Sequence, residues 1–112
     1  MQPSIETEPI IDTRGDDWIW PLELVGDDGS AVDLTGCTYD GAVIKWRGGA
    51  LDLATGGRLI VDAPNGVITI GIARADTLQV PDGQRAHAVI PIIDTLAHKS
   101  TLLIIPVQVI AP

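Results

Sequence analysis

Nucleophilic catalysis would depend on very few side chains of this chain. A serine or cysteine nucleophile needs a neighbouring base, most often histidine, and an acid that orients the base. The chain has two histidines, His87 and His98, and one cysteine, Cys37, but no Gly-x-Ser-x-Gly segment that would present a serine at a sharp turn. His87 falls within a strand pattern and His98 within a predicted turn, so we interpret both as structural or surface residues. We interpret Cys37 as an inert thiol and predict no enzyme activity.

Metal ions and cofactors are not predicted either. His87 and His98 are eleven residues apart, and Cys37 does not lie at a zinc-site spacing from them. Asp27 and Asp28 lie between two glycines and lack the ligand spacing of a calcium loop, so we interpret this segment as a turn. No glycine-rich phosphate loop is followed by lysine and serine or threonine. The sequence therefore predicts neither a metal site nor a cofactor.

Two motifs are candidates for molecular recognition. Residues 14–16 spell the integrin-type tripeptide Arg-Gly-Asp, but a match of three letters arises by chance, and we interpret it as the start of a strand. Trp18, Trp20 and Trp46 could stack on sugar rings, as in a carbohydrate-binding module. Trp18 and Trp20 share the apolar side of a predicted strand, which favours a place in the core or in a protein interface. A carbohydrate-binding module would need one of these two tryptophans exposed.

Composition and charge narrow the class of protein. The chain has 112 residues, with 7 Lys+Arg against 15 Asp+Glu, and its formal net charge of −8 argues against binding to nucleic acid or to an anionic membrane. A mass of 11.8 kDa allows one domain with a single core. One cysteine excludes an internal disulfide, residues 1–11 lack the basic start of a signal peptide, and no apolar run approaches the ~20 residues of a membrane helix. We expect a soluble protein made in a reducing cytoplasm.

The spacing of apolar residues indicates an all-β fold. Hydrophobic residues make up 46% of the chain, Phe is absent, and 12 Gly and 8 Pro interrupt the sequence at short intervals. Asn65-Gly66 between two apolar segments is typical of a hairpin, and a short helix is predicted at residues 74–79. Six or seven short strands separated by turns predict a β-sandwich. The predicted strands are residues 17–25, 39–47, 58–62, 67–72, 86–94 and 101–110, with a short segment around 51–53.

The last predicted hairpin, residues 86–94 and 101–110, is apolar on both of its faces. A sandwich strand normally alternates because one of its sides meets water, and a chain of this size has one core. The second face therefore needs a cover, either the N-terminal segment or another chain, and we expect an oligomer or a larger assembly. The predicted interface residues are Ile10, Ile11, Trp18, Trp20, Val89, Ile93, Leu102 and Ile104.

Residues 1–13 are predicted to form an extended N-terminal arm, and residues 14–112 the β-sandwich domain. Residues 1–17 hold five acids and one arginine, a balance of −4 that is half of the excess negative charge. The arm either is a solvated terminus or becomes ordered against a neighbouring subunit. Ile10 and Ile11 are candidates to pair at a sheet edge.

The chain carries turn and strand motifs in a distinctive order. They are Arg-Gly-Asp-Asp at 14–17, a strand at 18–24, Asp-Asp-Gly-Ser at 27–30, Val-Asp-Leu-Thr-Gly at 32–36, a strand at 39–46, Gly-Val-Ile-Thr-Ile at 66–70, Ala-Asp-Thr-Leu at 75–78, Pro-Asp-Gly at 81–83 and a final strand through 107–109. Over residues 12–110 this order resembles the small immunoglobulin-like β-sandwich domains of tailed-phage virions. The resemblance is to the N-terminal domain of baseplate upper proteins and to related fibre-attachment proteins.

The resemblance implies an immunoglobulin-like antiparallel β-sandwich of about seven strands with a non-enzymatic structural role. The expected protein is a multi-copy subunit at the tail or baseplate of a tailed-phage or phage-derived virion, assembled in the host cytoplasm. It would act as a fibre-attachment or adaptor protein through contacts with other virion proteins. A capsid decoration or head-fibre protein is the main alternative. This chain has residues 84–87 where the family has a tyrosine, and it ends at Pro112 where fibre proteins continue into a stalk, which favours an accessory subunit.

Overall fold

The fold is a sandwich of two β-sheets. The computed structural model describes residues 4–6, 9–26, 28–83, 85–96 and 99–112. A 3-10 turn (Ala63–Asn65) joins the seventh strand to the eighth, and a short helix, α1 (Arg74–Thr77), follows the eighth. The strands are β1 (Ser4–Glu6), β2 (Ile10–Thr13), β3 (Trp18–Glu23), β4 (Cys37–Thr38), β5 (Val43–Trp46), β6 (Gly49–Asp52), β7 (Leu59–Asp62), β8 (Val67–Ile72), β9 (Arg85–Asp94) and β10 (Lys99–Ile110).

The two sheets differ in size. The larger sheet has seven strands in the order β1-β10-β9-β5-β6, with β2 also paired to β10 and β4 also paired to β9, while the smaller sheet has the order β3-β8-β7. The predicted all-β sandwich is confirmed. The described residues form ten strands rather than about seven, and β1 and β2 run parallel to β10 instead of antiparallel. The additional strands have two to four residues, too few for an alternating pattern to be recognised.

The core lies between the sheets and follows from period-2 alternation. In β3, Trp18 and Trp20 are buried while Ile19 and Pro21 are exposed, and β8 and β9 alternate in the same way. Each strand therefore contributes every second side chain to one shared core. The buried apolar residues are Trp18, Trp20, Leu34, Ala42, Ile44, Leu51, Leu53, Ile68, Ile70, Ile72, Val80, Ala86, Ala88, Ile90, Ile92, Leu103, Ile105, Val107 and Val109.

The hairpin predicted from Asn65-Gly66 is confirmed by the antiparallel pairing of β7 and β8. Gly66 has φ 67° and ends the 3-10 turn in the left-handed region. A Cβ at this position would approach the Val32 carbonyl oxygen to 2.5 Å and the Leu24 carbonyl oxygen to 2.9 Å. The turn thus requires glycine both for its backbone conformation and for its packing against the loop after β3.

The helix is shorter than predicted. It ends at Thr77, whereas the sequence pattern extends it to residue 79. Beyond Thr77 the chain tightens, because the Gln79 and Val80 amides donate to carbonyls only three residues earlier, at 3.0 and 3.1 Å. This tightening brings Val80 fully into the core.

The described segments of the predicted arm pair with the chain's own larger sheet. Strand β2 lies parallel to residues 107–110 of β10, and β1 lies parallel to residues 102–104. Ile10 and Ile11 thus pair at a sheet edge, as predicted, and these segments lie on their own chain rather than on a neighbouring subunit. Residues 1–3 and 7–8 of the arm lie outside the described residues.

Candidate interaction surface

The outward face of the larger sheet carries an apolar strip. Alternate residues of β9 and β10 point into the core, so the residues between them point away from it. Val89 pairs with Ile104 and Pro91 pairs with Leu102. The apolar strip, defined as these four residues and Ile93, is half-buried rather than covered. It contains four of the predicted interface residues and is the second apolar face expected for this hairpin.

The prediction that Trp18 and Trp20 belong to an interface is wrong, because both lie in the core. Trp18 is 0% exposed and Trp20 is 6% exposed, and their rings stack with centroids 5.2 Å apart. The Trp18 indole N–H donates to the Thr13 carbonyl at 2.8 Å, and the Trp20 indole N–H donates to the Asp12 carboxylate at 3.0 Å. Neither tryptophan is available to stack on a sugar, so the exposed platform that a carbohydrate-binding module would need is not formed by them.

The remaining two predicted interface residues lie on opposite sides of β2. Ile10 is half-buried and packs against the core, whereas Ile11 is 62% exposed and pairs with Gln108 on the outward side of β10. Ile11 therefore extends the outward face of the larger sheet beyond the apolar strip, and Ile10 does not.

A basic group of residues adjoins the apolar strip. Arg85, His87 and Val89 succeed one another on the outward side of β9, and Lys45 of β5 pairs with His87. Arg85, His87 and Lys45 are exposed. A pocket of about 360 Å³ lies here, lined by Arg85, His87, Pro106, Gln108 and neighbouring residues. We call Lys45, Arg85 and His87 the basic end of the face. The sequence analysis did not identify it, although the alternation of β9 places Arg85 and His87 in phase with Val89.

The Arg-Gly-Asp-Asp motif forms a structural clamp between the turn after β2 and helix α1. The Arg14 guanidinium donates to the Leu78 carbonyl at 2.7 Å and to the Val80 carbonyl at 3.2 Å. The Thr77 hydroxyl accepts from the Gly15 amide at 3.0 Å, and the Asp17 carboxylate accepts from the amide of Arg74 at 2.8 Å. Residues 14–16 lie in the turn between β2 and β3, so they precede the strand rather than start it, and their contacts hold this turn and helix α1 together.

The residues weighed as catalytic candidates are dispersed. His87 lies on the outward face of β9, and His98 lies outside the described residues. Burial raises the pKa of the Cys37 thiol, and the Asp94 and Asp33 carboxylates raise this pKa further, which disfavours the reactive thiolate. The described residues contain no group of three or more His, Cys, Asp or Glu side chains that could hold a metal ion.

Three aspartates stabilise turns. The Asp28 carboxylate accepts from the Ser30 hydroxyl and amide, and the Asp33 carboxylate accepts from the Thr35 hydroxyl and amide. The Asp52 carboxylate accepts from the Thr55 hydroxyl and from the Ala54 amide. These hydrogen bonds hold the pKa of each of the three carboxyls below its ordinary value. The interpretation of Asp28 as a turn residue agrees with this geometry, and Asp27 lies outside the described residues.

Two further observations bear on the class of protein. Among the described residues, no helix has the length and apolar character needed to cross a membrane. Comparison with known proteins finds no family model that matches this chain and no significant match among curated proteins.

Proposed function

We propose that this chain is a non-enzymatic structural subunit of a tailed-phage or phage-derived virion. It would act at the tail or baseplate as a fibre-attachment or adaptor protein and would work through protein–protein contacts. The single observation that carries the proposal is the apolar strip on the outward face of β9 and β10, which is half-buried in the isolated chain. Removal of such a surface from water stabilises a complex by roughly 25 cal/mol per Å² of apolar area.

The structural role of the recognised motif supports the same proposal. Residues 14–17 resemble a virion-protein motif, and in this chain each of them forms a hydrogen bond with helix α1 or the turn after it. Hydrogen bonds of this kind give the motif a role in stabilising the fold rather than in a reaction centre. The resemblance of residues 14–17 to a virion-protein motif is therefore an argument about the fold. We infer the role at the tail from the apolar strip.

The acidic charge of the chain fits a subunit that must remain in solution before it is assembled. A formal net charge of −8 on 112 residues favours solubility and opposes non-specific aggregation of free copies. An apolar strip on an otherwise acidic surface then binds where its partner offers a matching apolar surface.

The proposal is tested by binding to virion proteins. The purified chain is immobilised and incubated with tail, baseplate, fibre and capsid proteins of the phage or prophage whose genome encodes it. We expect retention of a tail or baseplate component, and loss of that retention in the double variant Val89→Asp with Ile104→Asp. Val25→Asp is the matched control, because Val25 is 61% exposed and lies outside the strip.

The possible outcomes separate the candidate functions. Retention of a tail or baseplate protein that depends on Val89 and Ile104 supports the proposal. Retention of a capsid protein instead would support the alternative function, a decoration or head-fibre protein of the phage head. Failure of wild type to retain any virion protein, or equal retention by wild type and the strip variant, contradicts the proposed mechanism.

A further inference from the structure

The two outward faces of the sandwich have opposite charge. On the larger sheet, Lys45, His87 and Arg85 form the basic end, next to the row in which Val43, Val89 and Ile104 pair across three strands. The side chains of Lys45, Arg85 and His87 form no ion pair with a described acidic residue, since the one ion pair between described residues joins Arg58 to Asp76. Among the described residues, no acidic side chain is therefore paired with the basic end of this chain, whose net charge is −8.

The acid described on this face lies at one of its edges. Asp52 of β6 pairs with Val43, and its carboxylate accepts hydrogen bonds from the Ala54 amide and the Thr55 hydroxyl. Among the described side chains, the centre of the face therefore combines apolar residues with the basic end.

The outward face of the smaller sheet has the complementary composition. Ile19 of β3 is 70% exposed and Ile60 of β7 is 63% exposed, and Pro21 and Ile60 both pair with Thr69 of the central strand β8. In the next row, Glu23 and Asp62 both pair with Val67. Both carboxylates are exposed, and Asp62 accepts a hydrogen bond from the Asn65 amide group at 2.9 Å. Strands β3, β7 and β8, all of whose residues the structure describes, contain no Lys or Arg.

We propose that copies of this chain associate head to tail, with the outward face of the larger sheet of one copy against the outward face of the smaller sheet of the next. The basic end would meet Glu23 and Asp62, and the row of Val43, Val89 and Ile104 would meet Ile19 and Ile60. This proposal rests on the proposed structural role and names a partner for it, a second copy of the chain. Charge complementarity between the two faces fixes their relative orientation.

The geometry of a sandwich makes this contact propagate. The two outward faces point in opposite directions, so each copy that uses one face leaves the other face free. Such a heterologous contact forms a ring where its rotation closes and a filament where it does not. The copy at one end of every open stack would still present the apolar strip to a different virion protein.

The size of the smaller face limits the strength of the contact. Three strands spaced ~4.8 Å apart, of at most six residues that rise ~3.3 Å each, cover no more than roughly 15 by 20 Å. A standard interface removes about 800 Å² per partner from water, so the contact belongs to the small and weak class. We therefore expect association that needs high protein concentration and that weakens as salt screens the charges.

Charge exchange between the two faces provides the test. Sedimentation velocity and light scattering are measured from about 10 μM to 1 mM protein in low and high salt, for wild type, for Lys45→Glu with Arg85→Glu, and for Glu23→Lys with Asp62→Lys. All four substituted residues are exposed, and unfolding curves check that each variant is folded. The single variants Lys45→Glu and Arg74→Glu are a matched pair, because each changes the net charge from −8 to −10 and Arg74 lies on helix α1, away from both faces.

Wild type should show a mass above 11.8 kDa that rises with concentration and falls in high salt. Each double variant alone should be monomeric over the same range, because like charges then meet across the contact. An equimolar mixture of the two double variants should associate again, since the larger-sheet face of each variant is then opposite in charge to the smaller-sheet face of the other. The variant Lys45→Glu with Arg85→Glu has a net charge of −12, and the variant Glu23→Lys with Asp62→Lys has a net charge of −4. Because both variants are acidic overall, attraction between their net charges does not explain association in the mixture. Lys45→Glu should weaken association at least about tenfold more than Arg74→Glu.

Three results would overturn the inference. They are a wild type that is monomeric at every concentration, a double variant that associates as wild type does, and a mixture that stays monomeric. None of these results affects the binding of a virion protein through Val89 and Ile104. The proposed function is tested by separate experiments on the binding of virion proteins, so the two failures are distinguishable.

Discussion

The Thr77 hydroxyl is the centre of the clamp that joins the turn after β2 to helix α1. Thr77 is 0% exposed, and its hydroxyl accepts from the Gly15 amide while lying 3.0 Å from the Asp16 carbonyl and 2.9 Å from the Arg74 carbonyl. A buried hydroxyl is tolerated only where hydrogen bonds replace those made to water. This one residue therefore holds both sides of the clamp in place.

Thr77→Val should destabilise the fold by about 1–3 kcal/mol, because valine fills the same volume but leaves the Gly15 amide without its acceptor. The measurement is the free energy of unfolding by urea. Thr69→Val is the matched control, since Thr69 is half-buried on the outward side of β8, and this change should alter stability by less than about 0.5 kcal/mol. Equal stability of the two variants would show that the Thr77 hydrogen bonds do not support the fold.

We expect the three turn aspartates to contribute to the response of stability to acid. Hydrogen bonds lower the pKa of Asp28, Asp33 and Asp52 in the folded chain below the ordinary value of 3.8. A carboxyl of this kind stabilises the fold above its unfolded pKa, and the stabilisation is lost as pH falls through the folded pKa. We expect a melting temperature that changes little between pH 7 and about 5 and that decreases below about pH 4.

The triple variant Asp28→Asn, Asp33→Asn and Asp52→Asn serves as the control for this pH dependence. Asparagine retains an oxygen that accepts the turn hydrogen bonds but does not titrate. The decrease in melting temperature below pH 4 should therefore be smaller in the triple variant than in wild type. An identical decrease in both proteins would assign the acid sensitivity to other carboxyls.

At the scale of elements, the two halves of the N-terminal arm contribute unequally to the fold. Strand β1 pairs with residues 102–104 of β10. Strand β2 also supplies the acceptors for two buried indoles, the Thr13 carbonyl for Trp18 and the Asp12 carboxylate for Trp20. The arm is therefore part of the domain from β2 onward.

Deletion of residues 1–8 should lower the melting temperature by less than about 5 °C, whereas deletion of residues 1–13 should lower it by at least about 10 °C. Each indole N–H left without an acceptor costs about 1–3 kcal/mol, and 1 kcal/mol corresponds to roughly 4–8 °C in a domain of this size. Calorimetry gives the melting temperatures, and tryptophan fluorescence should shift to longer wavelength only in the larger deletion. Similar melting temperatures for both deletions would contradict the role assigned to β2.

Elements whose signal is local could be predicted from the sequence. The alternation around Trp18 and Trp20 predicts β3, Asn65-Gly66 predicts the β7–β8 hairpin, and the long apolar runs predict β9 and β10. The two-residue strand β4 and the parallel pairing of β1 and β2 with β10 depend on partners distant in sequence, which no local pattern encodes.

The candidate surface was predicted in part for the same reason. Val89, Ile93, Leu102 and Ile104, which the apolar character of both sides of the last hairpin indicates as interface residues, lie on the outward face of the larger sheet, and their role in an interface stays a prediction. Alternation alone could not tell which side of β3 meets the opposite sheet, so Trp18 and Trp20 were assigned to an interface although they are in the core. The Arg14 contacts with residues 78 and 80 join segments more than sixty positions apart. The local spacing of residue types in the sequence does not predict contacts over such a distance.

At the scale of the whole molecule, the sandwich presents two different outward faces. One combines the apolar strip with the basic end, and the other combines Ile19 and Ile60 with Glu23 and Asp62. The core accounts for the fold, and we propose that these two faces are the surfaces through which the chain binds other proteins. A small sandwich with two such faces would suit the structural role proposed for it, in which it links larger components.

The most direct test of that role is hydroxyl-radical footprinting of the apolar strip in assembled particles. Oxidation of Val89, Leu102 and Ile104 is measured by mass spectrometry in the free chain and in phage or phage-like particles purified from the strain that carries its gene, with Val25 as the internal reference. We expect the chain to be present in the particles and the oxidation of the three strip residues, relative to Val25, to fall at least about fivefold on assembly. Absence of the chain from the particles, or equal oxidation of the strip in both states, would show that the strip does not have the proposed role.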